Sequence, residues 1–245
     1  MVLNIAHSEF PEQQGGLMIC GYEWGGGEEE GEGVSEPQID WSANCTFANK
    51  DLRYGPAALG WRYDNRIKKW FDMWGCPLNH DDPGEFEKSI IQTNWCDTQN
   101  PQMNGDYSRL SEPEQVKNFL NLIKRFSPNL ILFMGSKLID ALHNPSTFKQ
   151  FQEISGKCTR PINFVQKNYD GRKFKVGFEK FEWCDVVCFP HPSSSHGLSD
   201  EYISLFNDDM KERIADYKLA RMYMRQFPGA RYSSALRPNS RREDN

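Results

Sequence analysis

The sequence predicts an α/β fold: a single domain whose central, mostly parallel four-stranded sheet is flanked by helices. Four short apolar runs are continuous rather than alternating, which is typical of strands buried on both faces. Helical patterns separate these runs, as they do in proteins with parallel sheets. Residues 162–182 alternate polar and aromatic side chains around Tyr169-Asp170-Gly171, which predicts a β-hairpin inserted before the last strand. The four predicted strands are 17–21, 89–93, 130–134 and 185–189.

Apolar side chains recur at helical spacing between the predicted strands. Ser111-Glu112-Pro113-Glu114 has the pattern of a capping box with proline in the first turn, and it predicts a helix start. The apolar residues that follow it are Val116, Phe119, Leu120, Ile123 and Phe126. A helix over 62–74 carries Ile67, Trp70, Phe71 and Trp74 on one side. Further helices are predicted at 135–142, 145–154 and 199–227.

The composition predicts a globular, cytoplasmic protein. The 245 residues have a formal net charge of −5, a mean hydropathy of −0.72 and 13% aromatic residues, and this aromatic content argues against a disordered chain. No apolar run approaches the roughly 20 residues that a membrane helix needs, and the polar start lacks the features of a signal peptide. We therefore expect no membrane partner. Seven cysteines, an odd number, favour buried thiols over a disulfide framework.

Charge is segregated along the chain. Between Glu23 and Glu36, acids and glycines occur without a base, which predicts a flexible acidic insertion at about 25–40. From Lys211 onward the bases outnumber the acids, so this stretch either contacts phosphate or forms a solvated helix face with a frayed tail. We expect one domain over residues 1–230 and a basic, flexible tail over residues 231–245.

Three of the predicted strands are followed by loops of unusual sequence, and ligands of parallel sheets bind where such loops leave the carboxyl ends. Gly21-Tyr22-Glu23-Trp24-Gly25 forms either a ligand-binding loop or an ordinary surface turn. Asn94 follows the second strand, where its amide binds either a ligand or its own loop. His191 lies between two prolines and begins the loop Ser193-Ser194-Ser195-His196-Gly197, whose hydroxyl and amide groups suit an anion.

A zinc site is the competing interpretation of the last loop, since Cys184, Cys188, His191 and His196 are residue types that bind zinc. In an extended strand, at about 3.3 Å per residue, the two sulfurs would lie roughly 13 Å apart, which is too far for one ion. We therefore expect no metal at these residues.

The ordered combination of motifs resembles the uracil-DNA glycosylase superfamily over most of residues 16–206. The first strand ends in the glycine and acid pattern of 21–25, and the second ends in Thr93-Asn94. The third strand runs into Gly135, and the last is followed by His191-Pro192-Ser193. The resemblance implies the fold of that superfamily and a hydrolase that flips a base out of single- or double-stranded DNA and cleaves its N-glycosidic bond.

The resemblance also implies roles for individual residues. Glu23 takes the position of the acid that places the attacking water and stabilises the sugar cation. His191 takes that of the histidine that hydrogen-bonds the departing base, and Asn94 that of the amide that reads the edge of the pyrimidine. Phe47 is the candidate for the ring that stacks on the base. The other members of the implied base-binding set are Tyr22, Trp24 and Gly25.

Contacts with the DNA backbone, and a wedge that takes the place of the flipped base, are implied for the loop after His191. This chain has Ser195 where the family has leucine as the wedge, so His196 or Leu198 is expected to serve instead. The full implied set is Ser193, Ser194, Ser195, His196 and Leu198.

Two departures from the family pattern bear on the substrate. Uracil-specific members place a tyrosine two residues after the acid, and Gly25 here leaves the pocket open near C5 of the base. The acidic insertion is either a disordered loop or, with Trp24, Trp41 and its carboxylates, a site for a sugar. We therefore expect either uracil or a C5-modified pyrimidine, such as the glucosylated hydroxymethylcytosine of phage DNA, as the excised base.

These expectations describe a monomeric, monofunctional glycosylase that uses water, needs no cofactor, and acts in repair or in antiviral defence. Iron-sulfur branches of the superfamily carry a Cys-x-x-Cys pair before the first motif, which this chain lacks, so we expect no iron-sulfur cluster. Two alternatives stay open: a catalytically silent DNA-binding module of the same fold, and a nucleoside or nucleotide N-glycosidase.

Overall fold

The computed structural model describes residues 11–23, 56–79, 82–98 and 106–227, which form a single sheet with helices on both faces. The predicted acidic insertion at about 25–40 and the basic tail at 231–245 lie outside the described residues. No helix in the described ranges is long and apolar enough to cross a membrane.

The sheet has six strands in the order β2-β1-β3-β6-β5-β4. Neighbours among β1, β2, β3 and β6 pair in parallel, whereas β5 pairs antiparallel with both β6 and β4. The strands are β1 (Leu17–Gly21), β2 (Ile90–Asn94), β3 (Leu130–Met134), β4 (Cys158–Gln166), β5 (Lys175–Phe181) and β6 (Asp185–Phe189).

The prediction of a four-stranded, mostly parallel sheet is wrong. The four predicted parallel strands are present to within one residue, but the inserted hairpin extends the same sheet through β5. Pairing with β5 satisfies the backbone groups that β6 would otherwise expose as an edge strand. The sheet is therefore mixed. The predicted turn is confirmed: Asp170 and Gly171 have φ of 49° and 69°, as a tight hairpin turn requires.

Helices form close to the positions that the apolar spacing predicts. Seven occur in the described ranges: α1 (Arg62–Met73), α2 (Glu85–Lys88), α3 (Pro113–Phe126), α4 (Ser136–Leu142), α5 (Pro145–Ser155), α6 (Asp200–Ser204) and α7 (Asn207–Gln226). Short 3-10 turns span Pro11–Gln13, Pro56–Gly60 and Ser108–Ser111.

Two details of the helix predictions are wrong. Ser111 does not cap α3, because it ends a 3-10 turn and the N-cap is Glu112, which makes no side-chain capping bond; Pro113 nevertheless occupies the first turn as predicted. The terminal helix predicted over 199–227 is interrupted between α6 and α7, where Phe206 leaves helical geometry with its side chain fully buried.

The core lies on both faces of the sheet, since alternate residues of each strand point to opposite sides. Leu17 and Ile19 of β1 belong to the cluster formed with α1 and α7, whereas Met18 and Cys20 belong to the cluster formed with α3 and α4. Because β1, β2, β3 and β6 pair in parallel, their carboxyl ends meet at one edge of the sheet. We call it the carboxyl edge.

Candidate active site

The loops after β1 and β2 stay paired at the carboxyl edge. Gly21 lies opposite Asn94, and beyond the strands the amides of Trp95 and Cys96 donate to the carbonyls of Gly21 and Tyr22, each at 2.9 Å. A Cβ at Gly21 would collide with Oδ1 of Asn94 and would lie 3.3 Å from the hydroxyl of Tyr63. Glycine therefore allows the Asn94 amide to lie across the end of β1, beside Tyr63.

His191 follows β6 and is held between two tyrosines. Its ring is parallel to that of Tyr22, with centroids 5.7 Å apart and 3° between the planes. Tyr63 contacts it from another direction, at 5.4 Å and 46°. The fold thus brings together the predicted residues Tyr22, Asn94 and His191, with Tyr63 next to both Asn94 and His191.

The environment of His191 keeps the imidazole neutral and selects its tautomer. Burial lowers the pKa of His191 to about 4, because little water remains to solvate the charged ring. The backbone amides of Ser193 and Ser194 lie 3.3 and 3.1 Å from Nδ1, which accepts their hydrogen bonds. The ring proton is therefore on Nε2, which has no hydrogen-bond partner among the described residues. His191 is a neutral donor at the carboxyl edge.

The first turn of α4 holds Tyr22 in place. Its hydroxyl accepts a hydrogen bond from the amide of Lys137 at 3.0 Å, and a Cβ at Gly135 would collide with its ring. Burial raises the pKa of Tyr22, so the phenol stays neutral beside His191. Only glycine at position 135 leaves room for this arrangement.

The Glu23 side chain is buried in the loop that follows β1. It is 1% exposed. Its Oε1 accepts a hydrogen bond from the hydroxyl of Thr98 and forms an ion pair with Nη1 of Arg109 at 3.0 Å. Its Oε2 is buried and has no hydrogen-bond partner among the described residues. One carboxylate oxygen is thus held in place, while the other keeps its capacity to accept a hydrogen bond.

Arg66 of α1 fastens the loop that carries His191. Its guanidinium donates to the carbonyls of Pro192 at 2.6 Å and Leu198 at 2.5 Å, which brackets the loop at both ends. It also pairs with Asp200 at 2.9 Å. Burial opposes ionisation of Asp200, but hydrogen bonds from Lys69, Arg66 and Trp70 outweigh it and lower the pKa to about 2. The carboxylate therefore remains charged and keeps Arg66 in place.

The residues implied as DNA contacts differ in exposure. Ser194 and His196 are exposed, whereas Ser193 and Ser195 are partly buried. Leu198 is 6% exposed and packs in the core, so His196 is the one of the two wedge candidates that lies at the surface. Ser193 also places its hydroxyl 3.3 Å from Nδ1 of His191. Trp24, Gly25, Trp41 and Phe47 lie outside the described residues.

Metal and thiolate chemistry find no support in the described ranges. No cluster of three or more histidine, cysteine or acidic side chains there is arranged to hold a metal ion. Burial raises the pKa of five thiols, so without a bound metal they stay protonated and are poor nucleophiles. These thiols belong to Cys20, Cys96, Cys158, Cys184 and Cys188.

The sequence does not identify four residues of the site: Tyr63, Arg66, Thr98 and Arg109. Arg66 carries a usable signal, because it precedes Ile67 and lies four residues before Trp70, on the apolar side of a predicted helix. Thr98 and Arg109 carry none, since their contact with Glu23 depends on how separate loops converge.

No family model matches the chain, and no curated protein matches its sequence. What the site can do follows from its own groups. A neutral imidazole N–H stabilises an anion that forms beside it, an amide both donates and accepts, and a buried carboxylate stabilises a cation or accepts a proton. Groups of these kinds suit the heterolytic cleavage of a bond, in which one fragment leaves as an anion and the other develops positive charge. The described contacts of the Glu23 side chain are with Thr98 and Arg109 and not with Asn94 or His191.

Proposed function

We propose that the protein is a monofunctional DNA glycosylase that hydrolyses the N-glycosidic bond of a flipped-out pyrimidine and leaves an abasic site. The observation that carries the proposal is His191, a neutral imidazole whose Nδ1 is occupied by two backbone amides and whose Nε2 proton is free among the described residues. A departing pyrimidine anion concentrates charge on a carbonyl oxygen, which such a donor stabilises.

Glu23 supplies the opposite charge in this mechanism. As the bond from the sugar to the base breaks, its electron pair leaves with the base and positive charge develops on the sugar. The carboxylate stabilises that charge, and Oε2 accepts a proton from water as the water oxygen bonds to the sugar carbon. Arg109 and Thr98 engage Oε1 and so fix the orientation of the carboxylate.

Asn94 serves as the reader of the base. Its amide lies across Gly21 at the end of β1, beside Tyr63, and the Tyr63 ring also contacts His191. An amide at this place recognises a pyrimidine edge by donating one hydrogen bond and accepting another. A flipped base costs a few kcal/mol of lost stacking and pairing, which contacts of this kind offset.

For the substrate we propose a C5-modified pyrimidine, with uracil as the alternative. The basis is the sequence. Gly25 stands where uracil-specific members of the uracil-DNA glycosylase superfamily have a tyrosine, and the acidic insertion, flanked by Trp24 and Trp41, carries carboxylates suited to a sugar. Glucosylated hydroxymethylcytosine of phage DNA is such a base, and its removal would make the protein an antiviral defence enzyme.

A catalytically silent DNA-binding module is the second candidate, and the pairing of Glu23 with Arg109 favours it. The carboxylate is 1% exposed and already neutralised on one oxygen, as in a structural ion pair. In a silent module, Glu23 would stabilise the loop after β1 and have no role in turnover.

An abasic-site assay separates these candidates. Purified protein is incubated with DNA that contains uracil, hydroxymethylcytosine or glucosylated hydroxymethylcytosine, and then with alkali to cleave abasic sites. Cleavage of glucosylated DNA supports the modified-base substrate, and cleavage of uracil DNA alone overturns it. Binding without cleavage of any DNA supports the silent module. Release of base from free nucleosides, with DNA left intact, identifies a nucleoside N-glycosidase instead.

A further inference from the structure

The β4–β5 hairpin concentrates positive charge in an acidic protein. Between Gly156 and Val176, Asp170 is the only acid, whereas the chain as a whole has a formal net charge of −5. The bases of this segment are Lys157, Arg160, Lys167, Arg172, Lys173 and Lys175. A positive surface of this kind attracts a polyanion, because it creates a local potential of a sign that the net charge conceals.

The hairpin tip, residues 167–175, lies beside the His191 loop. Gly177 of β5 pairs with Cys188 of β6 in antiparallel register, so the chain before Gly177 runs alongside the end of β6 and past the carboxyl edge. The guanidinium of Arg172 then donates to the carbonyl of Gly197, within the loop that begins at His191. The positive tip and the proposed active site therefore share one side of the molecule.

The hairpin tip is anchored to the body of the protein. The hydroxyl of Tyr202, a fully buried residue of α6, donates to the carbonyl of Phe174 and accepts from the amide of Lys167 at 3.2 Å. Lys167 also forms an ion pair with Asp209 at 2.9 Å. A surface held in this way keeps its bases in a defined position, which lowers the entropy cost of binding.

Two bases of the tip are available to a ligand. Lys173 and Lys175 are exposed, and no ion pair among the described residues engages either side chain. Tyr169, at the turn, is 39% exposed. Exposed lysines with a nearby aromatic ring are the groups that contact nucleic-acid backbones, through phosphate and sugar.

We propose that the hairpin tip binds the phosphate backbone of the duplex DNA whose base enters the site at His191. This inference rests on the proposed glycosylase function, and it adds to the implied loop contacts a second DNA-binding element. Lys173 and Lys175 contact phosphates, while Arg172 links the tip to the His191 loop and sets the distance between backbone and base.

The test compares the double variant Lys173→Gln/Lys175→Gln with the matched control Lys124→Gln/Lys149→Gln, which removes two exposed lysines from α3 and α5. Fluorescence anisotropy measures binding of a labelled DNA duplex between about 50 and 200 mM salt. Loss of two phosphate contacts should reduce the slope of log K against log salt by about 1.8 and weaken binding about tenfold at low salt. The control should bind like the wild type.

Several results would overturn the proposal: an unchanged slope, an equal change in the control, no binding of duplex DNA by the wild type, or stronger hairpin-dependent binding of an RNA duplex. Excision at saturating DNA, measured in parallel, separates this inference from the proposed function. A reduced slope without excision of any base retains the DNA contact and refutes the glycosylase. Excision with an unchanged slope refutes the hairpin contact alone.

Discussion

The two edges of the parallel part of the sheet both contain polar side chains, but these side chains differ in their partners and in their chemistry. At the edge where the strands begin, the amino edge, the Ser89 hydroxyl donates to Phe86 and accepts from Tyr217, both at 2.6 Å, and Lys180 pairs with Asp185 at 3.0 Å. At the carboxyl edge, Glu23 and His191 each keep one atom without a partner among the described residues. The amino edge also contains a buried group without a hydrogen-bond partner in the described ranges, the Gln13 side-chain amide, so an open atom alone does not indicate a ligand site. The carboxyl edge differs in chemistry, because its open atoms belong to a carboxylate and an imidazole, which take part in proton transfer and charge stabilisation.

The largest expected effect comes from Glu23→Gln. If Oε2 accepts the proton of water, this variant should lose roughly 10²- to 10⁴-fold in excision rate while it still binds DNA. Single-turnover excision of the preferred substrate is the measurement. Glu179→Gln is the matched control, since Glu179 is another buried carboxylate with an ion-pair partner, His143, away from the site. A fully active Glu23→Gln protein would remove Glu23 from the mechanism.

Arg66 should affect both stability and excision, because it holds the His191 loop although it does not contact substrate in the proposed mechanism. Arg66→Met leaves two loop carbonyls unpaired and should cost about 2–4 kcal/mol of unfolding free energy. Below its melting temperature the variant should also lose about tenfold in kcat, because the His191 loop loses its position. Urea denaturation and excision kinetics measure the two effects.

Lys180→Met, which breaks the ion pair with Asp185 at the amino edge, is the control for Arg66→Met. It should lower stability and leave kcat unchanged. Arg66→Lys should restore part of the excision rate, since it keeps the charge beside Asp200. An equal loss of kcat in the Lys180→Met and Arg66→Met variants would show that Arg66 acts through stability alone.

His191 should make stability fall with acid. Its pKa is about 6.5 in the unfolded chain and about 4 in the fold, so between these values the unfolded chain binds more protons. This contribution is complete above about pH 6.5 and is lost as the pH falls toward 4, by about 3 kcal/mol in all. Urea denaturation at pH 7, 5 and 4 measures it, and the difference from His191→Gln isolates it. Equal pH dependence in both proteins would contradict the neutral, partly buried imidazole of His191.

The smallest effect is expected from Gly135→Ala. Its Cβ would meet the Tyr22 ring, and its φ of 156° is unfavourable for alanine, so about 1–3 kcal/mol of stability should be lost. Excision should fall as well, because Tyr22 packs against His191. Gly60→Ala, where a Cβ meets no other atom within 4 Å, should be close to neutral. Thermal unfolding of both variants checks this contrast.

Much of the fold was predictable because its signals are local. The four parallel strands are continuous apolar runs, α3 follows from helical spacing after Pro113, and the hairpin turn follows from Asp170-Gly171. What failed concerned contacts between elements. Nothing local to residues 158–181 says that β5 pairs with β6 and enlarges the sheet, and nothing in 199–227 says that the helix is interrupted at Phe206.

The sequence by itself determined that loops bearing Glu23, Asn94 and His191 leave the carboxyl ends of strands that run in parallel, since alternating strands and helices imply a parallel chain direction. Only the tertiary structure decided the state of these groups. The tautomer of His191, the pairing of Glu23 with Arg109 and the hold of Arg66 on a loop 132 residues away each depend on packing between distant segments. Hydrogen bonds and desolvation act over a few ångströms, so they appear only once the chain has folded.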